Sequence, residues 1–329
     1  MNLEISKLSR VLLLISFLVC VHLGAGVALG EYLLASTLRP DLTDPTAPHD
    51  RLGGDIAWSG DVLVAGAPGH DQNGTNGGAA FVYRRAIGGD LVLEDRLVVS
   101  ETGNGDRFGT TVATNGEIAV VCSTTAEVDG TDSAGACGLF SHSGGSWSQQ
   151  QLLRPPTPQG AHAFGSSLGI SDAGDRIMIG APGDSTLDLA AGAVFEFTRA
   201  GSTWGFSQKI LASDGEYLDQ FGEAVSLSGQ DLVIGAPLQA PENATTGAVY
   251  LFQYDGTEWI ETEKLVPETL AQGDRFGTSV ALAGDILIVG APQSDSSDLE
   301  DTGSAFLNQR HTIGWPLIQI LVASDATAF

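Results

Sequence analysis

Positive charge is scarce in this sequence: 15 Lys and Arg stand against 40 Asp and Glu, a formal net charge of −25 over 329 residues. Phosphate backbones bind through cations, so the balance argues against a nucleic acid partner. An anionic membrane surface would repel the chain for the same reason. Histidine is sparse too: His49, His70, His142, His162 and His311 lie scattered after the first thirty residues, without metal-ligand spacing. Past those thirty residues no apolar run is long enough to span a bilayer. Cations, basic proteins and neutral sugars remain open as partners.

Apolar residues and glycine, by contrast, are plentiful. Hydrophobic residues make up 43% of the chain, enough for a sizeable core, and 43 glycines lie among short apolar runs. That mixture reads as a turn-rich β fold rather than disorder. Residues 1–30 are of another kind: Lys7 and Arg10 precede "VLLLISFLVC", and small residues such as Ala28 and Gly30 close the stretch. This is a signal-peptide layout, with an uncleaved membrane anchor as the rival reading. The expectation is a secreted or cell-surface protein whose mature chain makes no membrane contact.

One sequence unit recurs five times. Leu52-Gly53, Phe108-Gly109, Phe164-Gly165, Phe221-Gly222 and Phe276-Gly277 are spaced 56, 56, 57 and 55 residues apart. Trp147, Trp204 and Trp259 each precede the next Phe by 17 residues, Leu91 takes that place in the first unit, and Trp315 continues the series. A long fixed period with several strands per unit predicts a propeller. In the fifth unit "FGTSVAL" (276–282) is the expected first strand, "ILIVGAP" (286–292) a second buried on both faces, "GSAFLNQ" (303–309) the third and "WPLIQILVA" (315–323) an outer fourth. Gly residues permit close approach where blades crowd, and Pro68, Pro182, Pro237 and Pro292 end the second strand because Pro lacks a ladder donor. The Phe reads as a core plug between blades. Asp50, Asp106, Asp219 and Asp274, two residues before it, read as turn-holding residues, with metal binding as the alternative.

Phe-Gly followed by Gly-Ala-Pro, with a third strand like "GAVYLF", resembles the FG-GAP repeat of integrin α-subunit β-propellers and of many exported bacterial proteins. The resemblance covers nearly all of residues 31–329 and implies an all-β propeller of four-stranded antiparallel blades, five of a usual seven. It further implies a binding or adhesion module with an extracellular protein or glycan partner. Residues 31–40, "EYLLASTLRP", resemble a lone outer strand ahead of the first unit, and "ASDATAF" (323–329) overlays "ASDGEYL" (212–218) just before a sixth, so a fragment is expected, with a natural five-blade ring as the alternative. The second unit departs from the family pattern: Cys122 takes the place of the Gly of Gly-Ala-Pro and Cys137 that of Val249. Neighbouring strands would then carry the two cysteines, and a disulfide is expected, the alternative being two buried thiols.

In this topology the loops between second and third strands, 69–77, 125–134, 183–191, 238–246 and 293–302, emerge on one face. They are longer than hairpins require. They carry eleven acids and no Lys or Arg: Asp71, Glu127, Asp129, Asp132, Asp184, Asp188, Glu242, Asp295, Asp298, Glu300 and Asp301. Their oxygens, with Asn73 and Asn76, are of the kind Ca²⁺ prefers, and Asp71, Asn73, Asp184, Asp188, Asp295, Asp298 and Asp301 form the candidate set. A solvated acidic surface is the competing reading. The family's own calcium sites do not carry over, because its Asp-x-Asp-x-Asp-Gly loop is replaced here by short turns such as "SGD" (59–61) and "AGD" (283–285). Asn73 and Asn243 head glycosylation sequons on long loops, with ordinary turn residues as the competing reading. "GSSLG" (165–169) matches a nucleophile elbow, but that motif needs a strand-to-helix turn and here overlays a first strand. The chain is therefore read as non-enzymatic, with a carbohydrate-active or other hydrolytic enzyme and a passive structural module as alternatives.

Overall fold

The computed structural model describes residues 50–71, 74–101, 103–240, 245–295 and 302–323. The expected signal segment 1–30 and outer strand 31–40 lie outside these residues. Twenty strands form five separate four-stranded antiparallel sheets, each with its strands in sequence order. Blade 1 comprises β1 (Ile56–Ser59), β2 (Val62–Ala67), β3 (Ala79–Arg85) and β4 (Leu91–Leu97), and blade 2 comprises β5 (Thr111–Thr114), β6 (Ile118–Ser123), β7 (Ala136–Ser143) and β8 (Ser146–Leu153). In blade 3 these places are taken by β9 (Leu168–Ile170), β10 (Arg176–Ala181), β11 (Ala193–Ala200) and β12 (Thr203–Ile210). Blade 4 has β13 (Ala224–Ser228), β14 (Asp231–Ala236), β15 (Ala248–Tyr254) and β16 (Trp259–Leu265). Blade 5 has β17 (Ser279–Ala283), β18 (Ile286–Ala291), β19 (Ser304–Gln309) and β20 (Leu317–Val322). The fold is an all-β propeller.

Local sequence accounts for each blade. The first two strands are joined by turns such as Gly60-Asp61, with Gly60 at a φ of 60°. Pro68, Pro182, Pro237 and Pro292 each follow the last residue of a second strand. β2 and β6 are buried along their whole length, as an apolar run between two sheets must be. A register shift falls between the third and fourth strands at the same repeat position in all five blades: after Val82, Leu139, Glu196, Leu251 and Leu307. Such a bulge adds twist and bends the outer strand.

The core lies between blades rather than within them. Val64 and Val82 of blade 1 pack with Phe108, Val121 and Trp147 of blade 2. Blades 2 and 3 meet through Val120, Leu139, Phe164, Ile179 and Phe195, and blades 3 and 4 through Met178, Val194, Phe221, Ile234 and Tyr250. Phe276, Val289 and Phe306 of blade 5 seat on Val233 and Val249 of blade 4. Each repeat Phe is thus an inter-blade plug, at most 2% exposed. The Trp residues tie the outer strands together: the backbone N–H groups of Trp147, Trp204 and Trp259 donate to Asp95, Gln151 and Gln208 of the preceding blade.

One expectation is corrected here. The Phe-Gly pair does not open the first strand; β17 begins at Ser279, not Phe276. The pair forms the seam between blades. Gly277 N donates to Gly290 O of its own blade at 3.0 Å, while Phe276 makes a parallel bridge to Gly247 of the blade before. The chain cannot run straight through because the residue before Phe and the Gly after it are both left-handed: Arg275 has φ 56° and Gly277 φ 93°. The glycines also interlock, since a Cβ on Gly66 would stand 2.0 Å from Gly109 O and one on Gly235 2.0 Å from Gly277 O.

Candidate functional site

Each long loop is closed at its base by the glycine just before the third strand. The N–H groups of Gly78, Gly135, Gly192, Gly247 and Gly303 donate to the carbonyls of His70, Ala126, Asp184, Gln239 and Ser294. The far side of the loop is then strapped to the segment entering the next blade. Arg107 N donates to Asn76 O, Phe164 N to Ala134 O, Leu218 N to Leu189 O and Gly273 N to Thr245 O. The loops expected to present ligands thus also buckle blade to blade, which leaves mainly their tips free for contact.

Among the described residues the candidate calcium ligands Asp71, Asp184, Asp188 and Asp295 are not brought together. Asp71 accepts from Asn76 N at 2.7 Å and Asp188 from Leu189 N at 2.7 Å, each within its own loop, and Asp295 is exposed on a third. Asp184 is corrected from a loop ligand to a core residue. Its side chain is fully buried and takes His162 Nε2 at 2.6 Å, Lys209 Nζ at 2.7 Å and Thr186 N at 2.9 Å. Burial alone would raise its carboxyl, but these hydrogen bonds outweigh burial and hold it well below the usual carboxylate range. Asn73, Asn243, Asp298 and Asp301 lie outside the described residues. Among the described residues no group of three or more His, Cys, Asp or Glu is placed to hold a metal ion.

His162 fills the position where other units have Asp. Asp106, Asp219 and Asp274 accept from the backbone N–H groups of Gly103, Glu216 and Ala271, three residues earlier. Cys122 and Cys137 are cross-strand partners on β6 and β7 and are disulfide-bonded. In the Gly-x-Ser-x-Gly match, Ser167 is buried and its Oγ donates to Gly222 O at 2.8 Å, so the hydroxyl serves the blade seam.

Two features stand out that sequence reasoning passed over. On the long-loop face, Leu187 and Leu189 of loop 183–191 are 47% and 57% exposed, beside Tyr217 and Leu218 of the neighbouring 211–223 connection at 59% and 37%. Leu218 N donates to Leu189 O, and the exposed carboxylates of Asp188 and Glu216 flank the group. The second feature lies on the axis, where the residues after each Phe-Gly or Leu-Gly pair line a single cavity of about 420 Å³. Its wall includes Asp55, Thr110, Ser166, Glu223 and Thr278, so every blade contributes. Burial raises the Asp55 carboxyl against the opposing hydrogen bonds from the N–H groups of Val112 and Ile56. Burial alone raises that of Glu223. Aligning the repeats on their glycines would have exposed Glu223, because three other units carry Ser or Thr at its position.

The FG-GAP repeat family model matches residues 43–83, 204–252 and 259–307. These segments take in the first three strands of blades 1, 4 and 5 and the outer strands of blades 3 and 4; blade 2, with the disulfide, and the His162–Asp184 part of blade 3 lie outside them. No curated protein matches the chain. Among solved structures, the chain is similar to a Bacteroides uniformis protein provisionally named a 6-phosphogluconolactonase. The TM-score is 0.54 at 12% identity, over 82% of this chain and 72% of that one. At that identity the likeness is one of fold. The Phe-Gly and Gly-Ala-Pro junction recurs along the chain and the family model recognises three stretches of it, so FG-GAP repeats form part of this β-propeller.

Proposed function

We propose that the protein is an exported or cell-surface binding module that engages an extracellular protein or glycan through its long-loop face and performs no chemistry of its own. The observation that carries this reading is the exposed group Leu187, Leu189, Tyr217 and Leu218. Four large apolar residues side by side on connecting loops cost solvation in a monomer, and such patches mark interaction surfaces. Tyr is also among the residues favoured as anchors at interfaces. The acids around the group and the net charge of −25 favour a partner with basic groups at its rim. The Cys122–Cys137 disulfide supports export, since such bonds persist in oxidising compartments. The likeness to a provisionally named lactonase is one of fold and transfers no activity.

The test is binding of the purified chain to an array of immobilised extracellular-matrix proteins and glycans. The double variant Leu187→Ser/Tyr217→Ser, checked for an unchanged circular dichroism spectrum, is expected to lose at least about tenfold in affinity, the scale of one interface anchor. Equal binding by the variant would place the contact elsewhere and sink the reading.

A further inference from the structure

The axial cavity is independent of the loop-face reading, and its wall has a chemical bias. The position after the repeat glycine carries a hydroxyl in three blades, and each hydroxyl folds back on the turn that precedes it. Thr110 Oγ1 donates to Arg107 O at 2.7 Å, Ser166 Oγ to Ala163 O at 2.8 Å and Thr278 Oγ1 to Arg275 O at 2.8 Å. Ser167 Oγ is likewise committed to Gly222 O. A hydroxyl has one proton and two lone pairs. With these protons held by backbone carbonyls, these side chains turn lone pairs, not donors, towards the cavity; of the wall hydroxyls, that of Ser279 alone makes no hydrogen bond to a backbone carbonyl among the described residues.

Glu223 breaks the pattern. As a carboxylate it has no proton to give the Gln220 carbonyl, which receives only the Glu223 backbone N–H, at 3.1 Å. Its side chain makes no hydrogen bond or ion pair among the described residues. A Thr here would close the turn as in blades 2 and 5 and would remove a desolvated charge. Asp55, the other acid of the wall, is already satisfied by Val112 N at 2.7 Å and Ile56 N at 2.9 Å. No Lys or Arg lines the cavity. Arg51, Arg107 and Arg275, each one residue before the repeat Phe or Leu, are exposed. They weaken the long-range attraction of a cation without entering the wall.

We propose that this cavity binds a small organic cation, a molecule bearing a protonated amine beside hydroxyl groups, with Glu223 as its charge partner. The volume lies within the range of small-ligand sites, and the cavity is broadly open to solvent, so a ligand there stays partly hydrated. An ammonium brings three donors and a positive charge to a wall that offers mainly acceptors and a single unpaired carboxylate. Calcium fits less well, because it seeks six to eight oxygens with several carboxylates among them. The desolvation of Glu223 is offset only when the amine is bound, so the empty protein carries that charge at a cost to its stability.

The experiment is calorimetric titration of the full chain with glucosamine and, as a neutral match of the same shape, glucose. Glucosamine is expected to bind, with glucose at least about tenfold weaker. Glu223→Thr, which installs the residue of the neighbouring blades, and Glu223→Gln are both expected to weaken glucosamine by about tenfold or more, the loss of one charge-assisted contact. Glu223→Thr is also expected to melt higher than the wild type without ligand, which shows that it folds. Absence of glucosamine binding up to about 10 mM, equal binding of glucose, or unchanged binding by the two variants would each overturn the proposal. None of these outcomes bears on the loop-face reading, whose test uses a different surface.

Discussion

At the residue scale the repeat rests on backbone conformations more than on side-chain identity. The residue before each Phe or Leu is left-handed in all five units: Arg51, Arg107, Ala163, Gln220 and Arg275 have φ between 54° and 58°. The following Gly is positive as well, and in units two to five a neighbouring blade also forbids a side chain at it. A Cβ on Gly109 would lie 2.2 Å from Ala79 O. The two positions therefore respond oppositely to substitution. Arg107→Gly relieves a conformation that costs an L-residue roughly 1–2 kcal/mol, partly offset by the greater unfolded-state freedom of Gly, and is expected to stabilise by up to about 1 kcal/mol. Gly109→Ala meets both the strained φ and the carbonyl and is expected to destabilise by at least about 2 kcal/mol. Urea unfolding midpoints of the two variants check the pair; a shift of the same sign in both would contradict this account.

At the element scale the long loops act as straps. Their bases close on the third-strand glycines and their far ends pair with the segment entering the next blade, so the same backbone groups that hold the ring together set the height of the loop tips. Blade 2 adds a covalent link. Its disulfide joins β6 to β7 over a sequence separation of 15 and packs against Gly165 at the seam with blade 3. Cross-linking a loop of that length restricts the unfolded chain by about 3 kcal/mol in the chain-entropy model. Replacing both cysteines by Ala keeps the Cys122 Cβ beside Gly165 while removing the link and the two sulfurs that also face it. Cys122→Ala/Cys137→Ala is expected to lower unfolding stability by about 2–4 kcal/mol, with reductant then having no further effect. An unchanged midpoint would mean that strand register alone holds this blade.

At the scale of the whole molecule the blades are unequally covered. Blades 2, 3 and 4 are packed on both faces, and β14 shows it: every residue after Asp231 is buried. In blade 5 the face turned away from blade 4 is only half-buried, with Ile286, Ile288 and Gly290 alternating with buried neighbours along β18. β20 leaves Leu317, Ile318, Ile320 and Val322 between 37% and 53% exposed. Sheets covered on one face open with less free energy than sheets covered on both. Amide hydrogen exchange is expected to be fastest in β19 and β20 and slowest in β10, β14 and β15. Uniform protection across the five blades would show that the chain opens as one cooperative unit instead.

The period, the glycines and the prolines were enough to read the class of fold, the five blades and the second-strand boundaries from sequence, because those features follow from backbone rules local to each unit: where a Cβ is tolerated, where a ladder donor is missing, where an apolar run is covered on both faces. The partners of the register were legible for the same reason, which is how Cys122 and Cys137 could be placed on adjacent strands. What lies between units was legible only in the Phe, read as an inter-blade plug and found as one. The sequence assigned Phe-Gly to a strand, whereas contact with the preceding blade makes it a seam. It offered Asp184 as a surface ligand, whereas His162 and Lys209, 22 and 25 residues away, draw it into the core. The convergence of five spaced positions on one axial cavity, and the isolation of Glu223 within it, exist only once the blades are packed, since burial and hydrogen-bond satisfaction depend on neighbours remote in the chain.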